Sequence, residues 1–448
     1  MLDRVQRRWE EHYVAVSKRN PLRGTRALLA YNSVIDRVRV LDEAWLDGLE
    51  APKEVPPLFA KEVENLDDLA QGLSHSISHG LALEVLCARG VIRFLQKTGG
   101  FETRPGGQVA TVAHLLSDFG AASVLVHPDR FNWELASLYA GTSAQVPLQM
   151  ASSLEYARAE EFYWECAPEE HYILEYPEGL AFGDGPSPRA NRLIAAPRTR
   201  IQFHPEWERA LPEAGRASDL FFLAGLNHMG EDFEASFRRV REHIRSAQSR
   251  NPKLAVHLEM TSTPDLRKRE AILDQVVPLL DSLSVNEAEL ADLAFLLGLP
   301  DWEAVRSDPT RQLEALHLLR ALGVRRVNMH TLGYYLTLSP HPVERVRTAH
   351  LFAAIVGTGR ALLGRSPDPG VIPQALEAPL AEMGFRAMEN LAEGMGLEGA
   401  TRSAVLEDGW HREEELVIVP TRLVERPRYT VGLGDTISGA AVFGEGWP

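Results

Sequence analysis

The hydrophobic positions of this chain fall into short apolar runs separated by longer stretches with helical spacing. The runs LFFLAGL (220–226) and LAVHLEM (254–260) predict buried strands, because parallel strands covered on both faces are apolar throughout. Between them, EDFEASFRRVREHIRSA (231–247) has the i, i+3, i+4 spacing of an amphipathic helix. Strands separated by helix-length segments predict an α/β fold, with a mostly parallel sheet flanked by helices.

The same pattern extends over most of the chain. The predicted further strands are the start of residues 27–41, then 123–128, 282–285, 324–331, 334–339 and 415–423. The predicted further helices are the N-terminal segment up to Asn20-Pro21, then 63–95, 111–120, 265–280, 286–298, 311–323, 342–364, 373–395 and 435–445.

Residues 168–206 interrupt this rhythm. Two strand-like runs, HYILEY (171–176) and RLIAA (192–196), flank the Gly/Pro-rich FGDGPSPRAN (182–191) and predict a hairpin. We interpret this region as part of a smaller β-rich lid. The predicted division is a discontinuous large α/β domain in 1–35, 56–167 and 207–448 and a small lid in 36–55 and 168–206.

Composition narrows the class of protein. The 448 residues carry a formal net charge of −15, and an acidic surface repels phosphate backbones and anionic lipid. We therefore expect neither nucleic acid nor a membrane as a partner. Two cysteines cannot form a disulfide framework, and no run approaches the roughly 20 apolar residues of a membrane span. The N-terminus lacks the apolar core of a signal peptide, so a cytoplasmic location is predicted.

The segment VGLGDTISGAA (431–441) carries the clearest local chemistry. Gly432 and Gly434 permit close backbone approach before a helix predicted to begin at about Asp435. Free N–H groups at a helix start favour a phosphate or a developing negative charge, and the Asp435 carboxylate could take a proton from an attacking hydroxyl. The alternative is plain helix capping by Gly-Asp-Thr.

Acidic side chains follow two neighbouring predicted strands. Glu259 ends one of them, and Asn286 and Glu289 are one helical turn apart after the next. Open α/β sheets bind ligands at the carboxyl ends of their strands, and one or two carboxylates suffice for Mg²⁺ beside a nucleotide phosphate. The alternative is a capping box, in which Asn286 caps a helix and Glu289 completes the motif.

Two further segments are candidates for binding a polyhydroxylated acceptor. Asn32 and Asp36 leave the first sheet strand, and Gly107 and Gln108 precede a predicted helix. Short polar groups and exposed backbone N–H groups can hold several hydroxyls. The alternatives are a turn at the first segment and a plain helix N-terminus at the second.

Other motif classes are absent or weak. The glycine spacing of 431–441 is not that of G-x-G-x-x-G, and the chain has neither a Walker A sequence nor a G-x-S-x-G elbow. His75 and His79 have helical spacing but lack an evident third ligand, so we interpret them as an ordinary helix face.

Six short motifs follow one another along the chain: AYNSVID (30–36), RPGGQ (104–108), VHLE (256–259), NEAE (286–289), HTLGYY (330–335) and GLGD (432–435). In sequence and in order they resemble the motifs of the ADP-dependent glucokinase and phosphofructokinase family of ribokinase-like kinases.

The resemblance implies a ribokinase-like fold with a β-rich lid, ADP as phosphoryl donor, Mg²⁺ or another divalent cation, and a small-molecule sugar as acceptor. It assigns Asp435 as the catalytic base and Gly432 and Gly434 as the anion hole. The remaining implied roles are metal binding by Glu259, Asn286 and Glu289, sugar binding by Asn32, Asp36, Gly107 and Gln108, and nucleotide binding by the segment from His330 to Tyr335. Apart from the resemblance, the positive charges of Arg192, Arg198 and Arg200 make one or more of them candidates to reach the nucleotide phosphate from the lid.

The chain departs from the family pattern after Gln108. Val109 and Ala110 stand where Ala-Gly is common, and His114 where Asn is common. These departures leave two alternatives: an ATP-dependent ribokinase-like kinase of another small alcohol, and a non-catalytic sugar- or nucleotide-binding relative. The stretch 165–179 contains no Lys or Arg, which favours a glucose-like acceptor over fructose 6-phosphate. Either a monomer or a dimer is compatible with the sequence.

Overall fold

The larger of two β-sheets organises most of the molecule. The computed structural model describes residues 2–52, 62–151, 153–263 and 265–447, and strands are numbered in chain order. Eleven strands of these ranges form the larger sheet: β1 Arg26–Tyr31, β6 Ser123–Val126, β7 Ala144–Gln149, β8 Leu154–Arg158, β11 Leu220–Ala224, β12 Ala255–Glu259, β13 Ser282–Asn286, β14 Arg326–His330, β15 Tyr334–Leu338, β16 Trp410–His411 and β17 Leu416–Pro420.

The larger sheet is parallel in its centre and antiparallel at its edges. Its spatial order is β16-β17-β15-β14-β13-β12-β11-β1-β6-β7-β8, and the run from β14 to β7 is parallel. The strands β11, β12 and β14 are buried along their whole length. This confirms the predicted α/β class, because central strands are buried on both faces only where helices cover the sheet.

Helices connect and cover these strands. The α-helices are α1 Leu2–Ser17, α2 Glu43–Leu46, α3 Leu66–His79, α4 Arg89–Thr98, α5 Gly107–Asp118, α6 Trp133–Ser137, α7 Pro205–Arg216, α8 Phe233–Gln248, α9 Leu266–Gln275, α10 Glu287–Leu296, α11 Pro309–Ala321, α12 Val343–Leu363, α13 Ile372–Glu377, α14 Glu382–Gly394, α15 Gly399–Ser403 and α16 Leu433–Glu445. Short 3₁₀ turns include Leu226–His228, directly after β11. Over the described residues, no helix combines the length and apolar composition needed to cross a bilayer.

A second sheet forms the smaller unit. Within the described ranges it contains six strands in the order β3-β4-β10-β9-β2-β5, with β2 Val34–Val40, β3 Glu62–Val63, β4 Leu83–Cys87, β5 Glu102–Gly106, β9 Glu170–Tyr176 and β10 Asn191–Pro197. The antiparallel pairing of β9 with β10 confirms the predicted hairpin. A separate hydrophobic cluster around Leu73, Val85 and Leu174 packs this sheet against α3 and α4.

The membership of the smaller sheet differs from the predicted division. The strands β3, β4 and β5 come from residues 62–106, which the sequence pattern assigned to the large domain. A single helix predicted over 63–95 is also wrong, because Gly80 adopts φ 59° and ends α3, and β4 follows. The β4 run LEVLC is short and mostly apolar, and periodicity cannot distinguish such a short run from a segment of a buried helix. Residues 53–61 of the predicted boundary lie outside the described residues.

The helix predicted over 373–395 is likewise two helices. Helix α13 ends at Glu377 and α14 begins at Glu382, with Pro379 between them. Because proline lacks an N–H donor and restricts the residue before it, the interruption has a local cause.

Candidate active site

A cleft lies at the carboxyl edge of the parallel strands, facing the smaller sheet. The cleft is open on one side, and its volume of about 1110 Å³ includes solvent at its mouth. Residues after β1, β12, β13 and β14 line it, together with the first turns of α5 and α16. The strands β9 and β10 contribute His171, Ile173, Arg192 and Ile194 from the smaller unit. The site is therefore built where an open α/β sheet presents its strand ends.

The first turn of α16 is held in a tight backbone arrangement. Gly432 has φ 72°, a conformation that favours glycine, and the guanidinium of Arg360 lies directly against it. The Arg360 Nε also donates to the Val431 carbonyl at 3.1 Å. A side chain at Gly434 would meet the His330 ring, its Cβ lying 3.1 Å from Nε2. Gly432 and Gly434 line the cleft, and the first N–H groups of a helix have no partner within it.

Asp435 lies at the cleft beside this turn. Burial raises the pKa of its carboxyl to about 6, while the nearby Arg360 and Arg192 guanidinium groups and a hydrogen bond from Gln108 oppose the rise. The carboxyl is consequently ionised at neutral pH but is far more basic than an exposed aspartate. A group with this pKa is suited to accepting a proton near pH 7.

The acceptor-binding residues predicted from the sequence come together at the junction of the two units. Asn32 and Asp36 are 6% exposed and line the cleft with Gly107 and Gln108. The Val109 N–H donates to the Asn32 carbonyl at 3.0 Å. Because Gly107, at φ 77°, packs on the Asn32 backbone, any side chain there would collide with it. Burial also raises the pKa of Asp36 to about 6.

Two buried carboxylates line another part of the cleft. Glu259 accepts a short hydrogen bond from the Ser438 hydroxyl, and burial raises its pKa well above the usual range, with the Asp435 and Glu289 charges adding to the rise. Burial raises the pKa of Glu289 to about 8. Carboxylate oxygens concentrated in this way are the donors that Mg²⁺ prefers, and a bound cation would offset the cost of ionising them.

Asn286 caps the N-terminus of α10, as its position in the sequence predicted. Its Oδ1 accepts from the N–H groups of Ala288 and Glu289 at 2.9 and 2.8 Å, and the Glu289 Oε2 accepts from the Asn286 N–H at 3.0 Å. This is a complete capping box at the start of α10. The Asn286 side-chain oxygen and Glu289 Oε2 are therefore engaged at the helix start, whereas Glu289 Oε1 accepts only a long hydrogen bond of 3.4 Å from the Ser262 hydroxyl. Glu259 and Glu289 both line the cleft.

The four residues assigned to the nucleotide are dispersed. His330 lines the cleft, and burial lowers its pKa to about 4, so its ring is neutral. Tyr335 lies in the core, 2% exposed, with its ring 5.8 Å from that of His350. Arg198 is exposed and forms ion pairs with Glu62 and Glu64, and the exposed Arg200 packs beside Gly230. The structure does not bring these last three to the cleft.

Sequence reasoning missed the contacts that join the smaller unit to the α16 turn. Glu175 of β9 is 5% exposed and its Oε1 accepts from the N–H groups of Thr430 and Val431 at 3.0 and 3.1 Å. Arg192 of β10 donates to the Thr430 hydroxyl at 2.9 Å. The available signals were Glu175 within the mostly apolar run HYILEY and Arg360 within LFAAIVGTGRALL (351–363), because charged side chains are rarely buried without partners.

The departures from the family pattern lie away from the cleft. Val109 and Ala110 are fully buried in the core of the larger unit. The His114 ring packs 5.6 Å from that of Tyr139, and burial lowers its pKa to about 4. These three substitutions therefore change core packing rather than the groups that face an acceptor.

Comparison with known proteins agrees with this geometry. The family model described as the ADP-specific phosphofructokinase/glucokinase conserved region matches residues 25–444. An ADP-dependent glucose/glucosamine kinase of Pyrococcus furiosus is 30% identical over 459 residues, covering 98% of each chain. An ADP-specific phosphofructokinase of Methanosarcina acetivorans is 27% identical, covering 92% of this chain and 91% of the relative.

The fold is also that of a solved kinase. The structure of an ADP-dependent kinase in complex with fructose-6-phosphate and ADPβS has a TM-score of 0.85 and 28% identity, and the match covers 98% of this chain and 97% of that one. The ribokinase-like architecture predicted from the motif order is thus confirmed. With a cleft assembled from those same motifs and a family match over nearly its whole length, the chain belongs to the ADP-specific phosphofructokinase/glucokinase family.

Proposed function

We propose that this ADP-dependent sugar kinase transfers the β-phosphate of ADP to a hydroxyl of an unphosphorylated, glucose-like hexose and releases AMP. The observation that carries the proposal is the convergence of Asp435, the open turn of α16 and the pair Asn32 and Asp36 in one cleft. A base, an anion-binding helix start and a hydroxyl-binding corner are the three parts that phosphoryl transfer to an alcohol requires.

The roles of the residues follow from their positions. Asn32, Asp36 and the backbone at Gly107 hold the sugar, with one hydroxyl directed at Asp435. The Asp435 carboxylate takes the proton from that hydroxyl as its oxygen bonds to phosphorus. The N–H groups of the α16 turn stabilise the charge on the transferring phosphoryl group.

A divalent cation fits beside these groups. Glu259 and Glu289 are the residues that would hold Mg²⁺, because their buried carboxylates line the cleft and have raised pKa values. When bound, the ion neutralises charge on the diphosphate.

The charges of the cleft favour an acceptor without phosphate. Among the described residues that line it, Arg192 alone has a permanent positive charge, and its Nη1 is already bonded to Thr430. Five carboxylates line the same cleft: Asp36, Glu84, Glu259, Glu289 and Asp435. A sugar phosphate needs additional cations to hold it, whereas a neutral hexose or an amino sugar does not. The P. furiosus relative is named as a glucose/glucosamine kinase, which agrees with this preference.

The test is AMP formation by the purified protein with ADP and Mg²⁺. Glucose, glucosamine, fructose and fructose 6-phosphate are compared as acceptors, with ATP in parallel as donor. We expect ADP-dependent turnover with the unphosphorylated sugars and a lower kcat/KM for fructose 6-phosphate. A higher kcat/KM for fructose 6-phosphate would refute the acceptor assignment, and turnover with ATP alone would refute the donor.

A further inference from the structure

Three buried metal-ligating side chains meet at the acceptor end of the cleft. Glu169 lies just before β9, His171 is within β9, and His228 is in the 3₁₀ turn after β11. They are 2%, 6% and 4% exposed. One ligand atom from each lies within 4.8 Å of the other two. The proposed transfer of phosphate assigns none of the three a role.

The arrangement centres on one oxygen atom. Glu169 Oε1 lies 3.2 Å from His171 Nε2 and 3.6 Å from His228 Nδ1. The longer separation exceeds that of a hydrogen bond, so a proton on His228 does not bridge it well. Tetrahedral Zn²⁺ with bonds near 2.0 Å requires ligand atoms about 3.3 Å apart, and the two distances fall on either side of that value.

Two further charged side chains, Glu84 and Arg130, lie next to His228 and Glu169. Glu84 Oε1 lies 3.6 Å from the other ring nitrogen of His228, Nε2. The Arg130 Nε lies 3.7 Å from the second oxygen of Glu169, Oε2, which has no hydrogen-bond partner among the described residues. A carboxylate behind a ligating histidine fixes its tautomer and orientation, and a cation behind Oε2 leaves Oε1 as the single ligand.

We propose that Glu169, His171 and His228 form a second metal site, selective for Zn²⁺ or a similar borderline cation. Two imidazole nitrogens and one carboxylate oxygen suit Zn²⁺, whereas Mg²⁺ prefers the all-oxygen environment of Glu259 and Glu289. Because His171 and His228 line the cleft, the fourth coordination position faces it. Three protein ligands with one open position are typical of a zinc site that exchanges its fourth ligand.

The expected consequence is competition between Zn²⁺ and the acceptor. This consequence, unlike metal binding itself, rests on the proposed kinase function. Asp36 and Glu84 line the same cleft as the two histidines, so an ion and its water there take the space and the polar contacts of the sugar. Inhibition by Zn²⁺ is therefore expected to be competitive with the hexose and not with ADP.

Metal binding is measured without catalysis. The full-length protein is saturated with Mg²⁺ and titrated with Co²⁺, whose visible absorption reports tetrahedral coordination, and with Zn²⁺ in a calorimeter. We expect one such ion per chain, with affinity lowered by about 100-fold or more in Glu169→Gln and in His228→Gln, and by about tenfold in Glu84→Gln. The matched control is His79→Asn, on the helical pair whose rings are 4.5 Å apart, which should leave the affinity unchanged.

Two results would overturn the site. One is the lack of a tetrahedral Co²⁺ spectrum in the wild type, and the other is equal affinity in the wild type and in folded Glu169→Gln and His228→Gln, with folding judged by thermal unfolding. A third measurement avoids substitutions: excess hexose should displace Co²⁺ from the wild type. If Co²⁺ binds as expected but Zn²⁺ competes with ADP, the position at the acceptor end is wrong. If Co²⁺ binds and AMP never forms, the kinase proposal fails alone.

Discussion

Glu175 offers a direct test of how the smaller unit organises the turn of residues 430–435, where α16 begins. Its carboxylate accepts from the Thr430 N–H at 3.0 Å, from the Val431 N–H at 3.1 Å and from the Thr430 hydroxyl at 3.0 Å. All of these donors lie within five residues of Asp435. The substitution Glu175→Ala removes the acceptor of these three bonds at a position that is 5% exposed, while Arg192 keeps its bond to the Thr430 hydroxyl.

We expect this substitution to lower both the free energy of unfolding and kcat. Leaving a buried hydrogen-bonding group without its partner costs about 1–3 kcal/mol, and part of that cost falls on the order of the 430–435 turn. Because a displacement of about 1 Å at a catalytic group can reduce turnover by about 10²-fold, kcat should fall by that order. The KM for the hexose should change less, since Asn32 and Asp36 do not contact Glu175.

The assays are urea unfolding and AMP formation, and the matched control is Glu178→Ala. Glu178 is exposed on the same hairpin, so its loss should leave both the free energy of unfolding and kcat unchanged. Glu175→Gln, which keeps an acceptor oxygen but loses the charge, should be intermediate. If Glu175→Ala has the kcat and the free energy of unfolding of the wild type, the hydrogen bonds from Thr430 and Val431 to Glu175 contribute neither to stability nor to turnover.

Three further predictions concern the cleft. Asp435→Asn should lower kcat by about 10²–10⁴-fold without changing the midpoint of thermal unfolding, since it removes the base and keeps the shape; unchanged AMP formation would contradict the assignment. Because Asp435 accepts a proton only when ionised, and burial raises its pKa to about 6, kcat should be level above pH 7 and fall as the pH drops through about 6. A profile that is flat from pH 7 to 5 would refute this. Tyr335→Phe should leave the KM for ADP unchanged, since Tyr335 lies in the core; an increased KM, measured at saturating hexose, would place the tyrosine at the nucleotide after all.

The elements that the sequence predicted correctly are those whose hydrophobic pattern lies within a single strand or helix. Strands β11 to β14 are buried along most of their length and are separated by helices, so hydrophobic spacing alone identified them. The site residues Glu259 and Asn286 followed, because they end such strands. The strand β7 was missed, since Pro147 and polar neighbours break its apolar run.

What the sequence did not reveal depends on contacts between distant segments. Glu175 and Thr430 are 255 residues apart, and Glu169 and His228 come from different units of the chain. Spacing rules describe neighbours on one helix or strand, so they carry no information on such pairs. The same limit explains Arg198 and Arg200, whose positive charge suggested phosphate binding but whose side chains are directed to the surface.

The two insertions that form the smaller sheet have a mechanical consequence. The chain passes between the units four times, after β1, after β5, before β9 and after β10. Asn32 and Asp36 flank the first passage, and Gly107 and Gln108 lie on the second. The residues proposed to hold the sugar therefore lie where the chain crosses between the two units. An acceptor bound there contacts both units at once, so its binding is expected to restrict their movement against each other.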